Sequence, residues 1–333
     1  MKDFAGKIAF ITGGASGAGF GQAQIFSEAG MKVVIADVRE DHIANAMAYF
    51  KNTGAQVHAI KLDVTDREGF AAAADEAERV FGGTPDLLVL TAGVNTFGPA
   101  EASTYEDFDW IMGVNLGGVI NGLVTFVPRM IKAGRGGHIA CTVSYGAFGA
   151  YPIVAPYTAS KAAVLNLMES YCTALKPYGI GVSALCPASI KTNIYDSALK
   201  SRPAHLKNTG YNVTEATQAH VYATNQTGME PRVLAEWLKE GIENELFLIV
   251  PYKSAERMVE IEFGRFVDLC TPEGMKRLAA RKNGPPTEEQ RQIFWEKEGY
   301  EMPQPGSAPS GPDVGFGKAR RDIDWVLPEK RAK

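Results

Sequence analysis

Cysteine is scarce in this chain. Four residues in 333, Cys141, Cys172, Cys186 and Cys270, stand far apart, with no Cys-x-x-Cys pair and no histidine beside them at metal spacing. The pattern argues against a metal site and reads as reduced thiols of a cytoplasmic protein, most of them in the core. The five histidines are as scattered: His42, His58 and His138 fall where surface or strand-edge residues are expected, and His205 and His220 lie in a later loop region. Positive charge has no surplus, since 34 basic residues face 38 acidic ones for a net −4, so nucleic acid and anionic membranes are poor partners. No uninterrupted apolar stretch approaches the ~20 residues of a membrane span, and the first apolar run is too short for a signal peptide. What is present is a 45% hydrophobic composition, enough for one large core or two modest ones.

Short apolar runs alternate with longer segments of helical spacing. Residues 7–12, 32–37, 56–62, 86–91, 138–143, 181–186 and 246–250 read as seven strands, most of them apolar on both faces, as a sheet covered on each side requires. Amphipathic stretches near 19–29, 40–52, 66–81, 104–132, 157–176 and 231–243 read as the crossover helices. Right-handed crossovers leave few topologies for that order, and the doubly wound α/β sheet leads, with strand order 3-2-1-4-5-6-7. Residues 193–228 break the rhythm, being long, polar and weakly periodic, and read as a loop over a site. Beyond residue 253 the composition changes again: 254–333 reads as an extension, part helical and part linker and tail, attached to a domain of residues 1–253.

The first strand runs straight into "TGGASGAGFG", residues 12–21, and then a helix. Glycines let backbone amides approach a phosphate closely, and a helix N-terminus adds partial positive charge at the same place, so the loop suits a pyrophosphate. Strand two ends at Asp37, about 20 residues past the loop, where a carboxylate meets the adenosine ribose and repels a 2′-phosphate; NAD is favoured over NADP. Arg39 lies two residues on, but no basic residue occupies the Ser16 position in the loop.

"APYTASKAAV", residues 155–164, places Tyr157 and Lys161 one helical turn apart on a shared face. An ammonium ~5 Å from a phenol, at an effective dielectric of ~20, favours a phenolate by roughly 3 kcal/mol. Such a pair can take the proton of an alcohol as its carbinol hydride leaves to a nicotinamide, or run in reverse.

With these features the sequence resembles the classical short-chain dehydrogenases/reductases over about residues 5 to 250. Thr12-Gly13-x-x-x-Gly17-x-Gly19 is similar to the family's cofactor loop, and Asp63-Val64 to its adenine-contacting pair. Thr91-Ala92-Gly93 stands where the family usually has Asn-Ala-Gly, which puts one strand-stabilising hydrogen bond in question. Asn115, Ser144, Tyr157 and Lys161 align with the four catalytic positions. Pro187 to Thr192 is similar to the segment that clasps the nicotinamide carboxamide, with Ala188 in place of its glycine. The resemblance implies a Rossmann-type fold with NAD held by Gly13, Ser16, Gly17, Ala18, Gly19, Asp37, Asp63, Val64, Thr91, Ala92, Gly93, Tyr157, Lys161, Pro187, Ile190 and Thr192. It further implies Tyr157 as acid/base and Lys161 as its electrostatic partner and ribose ligand. Ser144 then stabilises the substrate oxygen, and Asn115 holds a water that links the lysine to solvent.

Candidate substrate-wall residues are Val94, Phe97, Tyr145, Phe148, Tyr151, Tyr195 and Tyr211, with Ser144, Tyr157, Val94, Phe148, Tyr151 and Tyr195 chosen as substrate contacts. Aromatics in loops suit a bulky aromatic substrate, and they also anchor loops. "FITGGASGAGFGQA", residues 91–131 and the long C-terminal region resemble more closely the NAD-dependent Cα-dehydrogenases of bacterial lignin β-aryl ether breakdown, which oxidise the benzylic alcohol of guaiacylglycerol β-guaiacyl ether to a ketone. Another bulky secondary alcohol, whether steroid, terpene or cyclic, and a non-catalytic NAD-sensing module stay open as alternatives. The helices at 104–132 and 157–176 resemble those that build subunit contacts in the family, which implies a homodimer or homotetramer. The extension allows a cap over the substrate mouth, a strap onto a neighbouring subunit, or a loosely held tail.

Overall fold

A computed structural model of the chain describes residues 1–149, 153–196, 200–207, 209–214, 219, 222–223, 226–274 and 276. β1 (Ile8–Thr12) is buried at every position and pairs in parallel with β2 (Lys32–Asp37) on one side and β4 (Leu87–Leu90) on the other. β3 (Val57–Lys61), β5 (Gly137–Thr142), β6 (Ile180–Leu185) and β7 (Leu248–Ile249) complete a parallel sheet in the order β3-β2-β1-β4-β5-β6-β7. The strand order reverses between β1 and β4, and the crevice outside the C-terminal ends of those strands is where this topology receives a ligand.

Helices cover the sheet. α1 (Gly17–Glu28) and α7 (Pro231–Glu243) lie together so closely that a methyl built on Gly21 would fall 2.4 Å from Pro231 O. α3 (Arg67–Phe81) starts on an Asp66 side chain that accepts from Gly69 N at 3.0 Å, and its C-cap is Gly82 in the left-handed region at φ +80°. α3 and α5 (Gly118–Ala133) share one face: Phe10 of β1 meets Phe126 at 4.7 Å and Phe70 at 6.3 Å between ring centroids. Buried aromatic contacts of that kind supply much of a core's apolar burial. α2 (Glu40–Phe50) joins β2 to β3, α6 (Ala155–Ala174) opens with a proline in its first turn, and α8 (Ala255–Leu269) begins the extension.

The amphipathic stretch at 104–132 is helical throughout but not uniform. α4 (Tyr105–Met112) passes through a π-helical turn at Gly113–Gly117 into α5. The combined helix Tyr105–Ala133 is long and apolar enough to cross a membrane, yet Ile111, Val119, Leu123, Phe126 and Met130 are buried in the protein's own interior. Two sequence expectations are corrected here. His138 is not a surface residue: it is 1% exposed at the start of β5, its Nε2 2.8 Å from Ser183 Oγ, because Gly181 on the neighbouring strand leaves room for the imidazole. Of the four thiols, Cys141 and Cys186 are buried, Cys172 is half-buried and Cys270 is exposed, so only two sit fully in the core. His220 lies outside the described residues.

Candidate active site

The glycine loop is shaped by contacts that only glycine permits. Gly13 and Gly17 have φ of +64° and +50°. A methyl on Gly13 would lie 2.9 Å from Ala92 Cα, one on Gly17 would lie 3.0 Å from Thr192 Cβ, and one on Gly19 would lie 2.1 Å from Gly13 O. The loop, the Thr91–Gly93 segment and Thr192 therefore converge on one place. Ser16, the N-cap of α1, has extended backbone and makes no capping bond with its side chain. Ala18 and Gly19 lie in that first turn, so the helix end presents amide donors to an anion. Asp37 closes the far side: its carboxylate accepts from Ala15 N at 3.3 Å and Arg39 N at 3.0 Å and is 8% exposed. The Arg39 guanidinium is engaged by Asp41, whose carboxyl is held down to about 2 by that hydrogen bond.

The remaining predicted cofactor residues sit around the same mouth. Asp63 is exposed and its Oδ1 accepts from Thr65 N and Oγ1, at 2.9 and 2.7 Å. Val64 is buried against Gly118, and its carbonyl accepts from Asn121 Nδ2 at 2.9 Å. The Pro187 carbonyl accepts from Tyr145 N at 2.7 Å, and Ile190 forms a bridge with Met229 that fixes the segment leading to Thr192.

Thr91, the departure from the family's asparagine, is accounted for by residues the sequence did not single out. Its hydroxyl donates to Gln22 Oε1 at 2.7 Å, Gln22 Nε2 donates to Thr142 Oγ1 at 3.0 Å, and the Thr142 and Thr91 hydroxyls are 2.8 Å apart. One orientation of the hydroxyls, with Thr142 donating to Thr91, closes a ring that ties α1, β4 and β5 together with both hydroxyl hydrogens used. Thr12 Oγ1 accepts from Thr91 N and Ala92 N at 3.0 and 3.2 Å, which holds the strand end. Gln22 is fully buried on a helix otherwise lined with small and apolar residues. A lone amide on the core face of α1 is the signal that could have found it.

Lys161 and Tyr157 occupy one face of α6. The lysine is 4% exposed, donates from Nζ to the Thr142 carbonyl at 3.0 Å, and lies 5.7 Å from the centroid of the Tyr157 ring. Among the described residues no carboxylate forms an ion pair with it. A buried ammonium without a counter-ion is costly, and here the compensation comes from a carbonyl dipole and the face of an aromatic ring. Burial pushes the neighbouring Cys141 and Cys186 thiols up to about 11 and about 12, so neither supplies an anion to the lysine at neutral pH.

Ser144 follows β5. Its Oγ accepts from Gly146 N at 3.0 Å, and a methyl on Gly146 would touch both that oxygen, at 3.3 Å, and Tyr157 Cε1, at 3.7 Å. Asn115, in the π-helical turn, is fully buried. Its Oδ1 accepts from Val94 N at 2.8 Å while Nδ2 donates to Val94 O and Ser160 Oγ, both at 3.0 Å. The widened turn projects this amide between the end of β4 and α6, a use to which π-helical turns are often put. The four predicted catalytic residues are thus gathered at one crevice.

The proposed aromatic wall is different from its expectation. Tyr145 and Phe148 are 4% and 6% exposed, meet edge-to-face at 5.6 Å, and back onto α8 through Tyr145 Oη, which donates to Met258 O at 3.2 Å, and Phe263 at 6.5 Å from Phe148. Tyr211 is fully buried and donates from Oη to Ile153 O at 3.2 Å. These rings anchor loops, whereas Phe97, Val154, Ile153, Tyr157 and Val213 form a small apolar cluster at the site itself. Val94 reaches the site through its backbone. Tyr151 and the side chain of Tyr195 lie outside the described residues.

A doubly wound parallel sheet with a phosphate-shaped glycine cradle and a Ser-Tyr-Lys-Asn crevice at its switch point defines a dinucleotide-dependent oxidoreductase. The family model for short chain dehydrogenase matches residues 7–203. The C alpha-dehydrogenase of Sphingobium sp. strain SYK-6 is 51% identical over 272 residues, spanning 82% of this chain and 89% of that protein. The crystal structure of LigD in its apo form, from the same strain, shares 47% identity with a TM-score of 0.67, covering 81% of this chain and all of that one. A short chain dehydrogenase/reductase from Burkholderia phymatum, solved in complex with NAD, shares 32% identity with a TM-score of 0.74 over 81% of this chain and 96% of that one. The chain belongs to the short-chain dehydrogenase family.

Proposed function

We propose that the chain is an NAD-dependent alcohol dehydrogenase that oxidises the benzylic Cα alcohol of a lignin-derived β-aryl ether, of the guaiacylglycerol β-guaiacyl ether type, to the ketone. The observation that carries the chemistry is the buried Lys161 ammonium, without a carboxylate partner among the described residues, beside the Tyr157 ring. The substrate class is supported by the 51% identity to a C alpha-dehydrogenase.

The glycine cradle fits a dinucleotide, because a Cβ at Gly13, Gly17 or Gly19 would collide with Ala92, Thr192 or Gly13 itself, and only glycine lets the loop fold this tightly at the amide-presenting end of α1. Gly13, Ser16, Gly17, Ala18 and Gly19 hold the pyrophosphate and Asp37 the adenosine ribose. Asp63 and Val64 flank the adenine, and Thr91 to Gly93 with Pro187, Ile190 and Thr192 hold the nicotinamide end. With Arg39 engaged by Asp41, the Asp37 carboxylate sets the preference for NAD. Bound NAD supplies the hydride acceptor.

The protein's own part is proton handling and position. Tyr157 Oη takes the proton of the carbinol hydroxyl, and Lys161 stabilises the phenolate from which it does so. Ser144, whose oxygen already accepts from Gly146 N, keeps its hydroxyl hydrogen for the substrate oxygen. Asn115 fixes the spacing between the end of β4 and α6, so that Gly93, Lys161 and Tyr157 stay in register. The domain is assigned to residues 1–253 and the extension to 254–333, with α8 backing the turn that follows Ser144. Residues 277–333 lie outside the described part of the chain. The reading includes a cytoplasmic location, in keeping with four free thiols, and a homodimer or homotetramer, in keeping with Ile120 and Val124 exposed on α5.

The test is NADH formation from guaiacylglycerol β-guaiacyl ether. The wild-type protein produces NADH from the ether, and Tyr157→Phe loses about 10²-fold or more of kcat while still binding NADH. Turnover retained by Tyr157→Phe overturns the assigned acid/base, and an inactive wild type that turns over other bulky secondary alcohols overturns the substrate.

A further inference from the structure

Outside the crevice the most developed polar cluster is buried under the loop that crosses it. Arg202 has a side chain 3% exposed and Asp107 one that is fully buried, with Nη2 donating to Asp107 Oδ1 at 2.6 Å. The same guanidinium donates to Asn212 Oδ1 at 2.7 Å, Thr209 Oγ1 at 3.1 Å, the Tyr211 carbonyl at 3.2 Å and Thr96 Oγ1 at 3.3 Å. Asp107 is shared in turn: its Oδ2 accepts from Thr104 N and Oγ1, at 3.2 and 3.0 Å, and closes the capping box of α4. One carboxylate therefore caps the helix leading to Asn115 and grips the loop through arginine.

The gripped loop reaches the site. Tyr211 is packed so tightly on Gly98 that a methyl there would fall 2.5 Å from its ring, and its hydroxyl donates to Ile153 O just before α6. Two residues further, Val213 joins the cluster of Phe97, Val154, Ile153 and Tyr157. A guanidinium held through Nη1 and Nη2 by five acceptors from three segments fixes one geometry far more narrowly than an apolar contact does, even with its Nε unpartnered among the described residues. A lysine has the charge and lacks the fork.

We propose that Arg202 is a positioning residue for alcohol binding: through Asp107 it latches residues 209–213 onto α4 and seats Val213 in the Phe97–Val154 cluster that Tyr157 shares, fixing the size of the alcohol site. The inference rests on the alcohol dehydrogenase reading above. Arg202 touches none of the reacting groups, so its removal acts on large substrates, which need the wall in place, before small ones.

Two variants test this: Arg202→Met, and Arg202→Gln combined with Asp107→Asn, which leaves no orphaned buried charge. Each is compared with wild type for KM on guaiacylglycerol β-guaiacyl ether and on 1-phenylethanol, for NADH affinity, and for tryptic cleavage after Lys200 and Lys207. The expected result is a KM at least tenfold higher for the ether and less than threefold higher for 1-phenylethanol. NADH affinity stays within twofold, and cleavage is at least tenfold faster. Arg202→Lys recovers part of the ether KM. Unchanged ether KM and unchanged cleavage in both variants overturn the latch, as does a parallel loss of NADH affinity, which marks a general folding role. If the wild-type protein oxidises neither alcohol, the substrate reading fails, and the cleavage rates still decide the latch because they need no turnover.

Discussion

Replacing Gly19 by alanine asks the cofactor loop to accept one methyl. The added carbon falls 2.1 Å from Gly13 O and 2.7 Å from Gly13 C, both backbone atoms, whereas ordinary contact begins near 3.4 Å. Relief requires the loop and the first turn of α1 to separate by roughly 1 Å, and overpacking of that kind costs about 1–3 kcal/mol. Because Gly13 is itself wedged against Ala92, the displacement falls on the surface that faces the dinucleotide. If that cost is borne in the bound state, NADH affinity drops about fivefold to 150-fold. Fluorescence titration with NADH measures it directly. Gly264→Ala is the control, since a methyl there meets nothing within 4 Å; the change is expected to leave NADH binding unaltered. Wild-type NADH affinity in Gly19→Ala would refute the claim that this loop is built to its limit around a phosphate.

Other expectations follow from the same structure. Asp37→Ser removes the carboxylate at the end of β2, and the ratio of kcat/KM for NADP over NAD should rise at least tenfold; an unmoved ratio assigns the preference elsewhere. Burial, aided by the N-terminal ammonium, pushes His138 down to about 3 from an ordinary value near 6.5, so between those values the unfolded chain binds a proton that the native chain refuses. Stability from this residue is complete above about pH 6.5 and is lost as pH falls, by about 2 kcal/mol at pH 5. Urea melts of wild type and His138→Asn at pH 8 and pH 5 should show the wild-type advantage shrinking by about that amount, and a constant difference contradicts the assignment of a neutral buried imidazole.

The sheet was legible because most of its strands are short apolar runs between helical segments, and burial on both faces leaves no other use for such runs. β7 is the weakest case: residues 246–250 read as a strand, and only Leu248–Ile249 pair with β6. The crevice residues were legible because Gly13 to Gly19 and Tyr157 to Lys161 carry their chemistry in local spacing. Three things were hidden. The π-helical turn at Gly113–Gly117 keeps both flanks helical, so a period of 3.6 passes over it. Arg202 and Asp107 are 95 positions apart, and neither has a local pattern that announces the other. The aromatics at Tyr145, Phe148 and Tyr211 look in sequence like a substrate wall, yet their rings turn inward because α8 and Gly98 offer apolar surface to them.

The wide turn before α5 also carries one residue more than regular winding needs. Each residue in an α-helix advances the chain by about 100°, and an i→i+5 turn absorbs its extra residue over nearly the same rotation as a regular one. A single deletion within 113–117 that restores regular winding would therefore leave Thr104 and Asp107 facing the Arg202 guanidinium while withdrawing Asn115 from Val94. The helix thus carries its buried amide as a local insertion, separable from the grip on the distant loop.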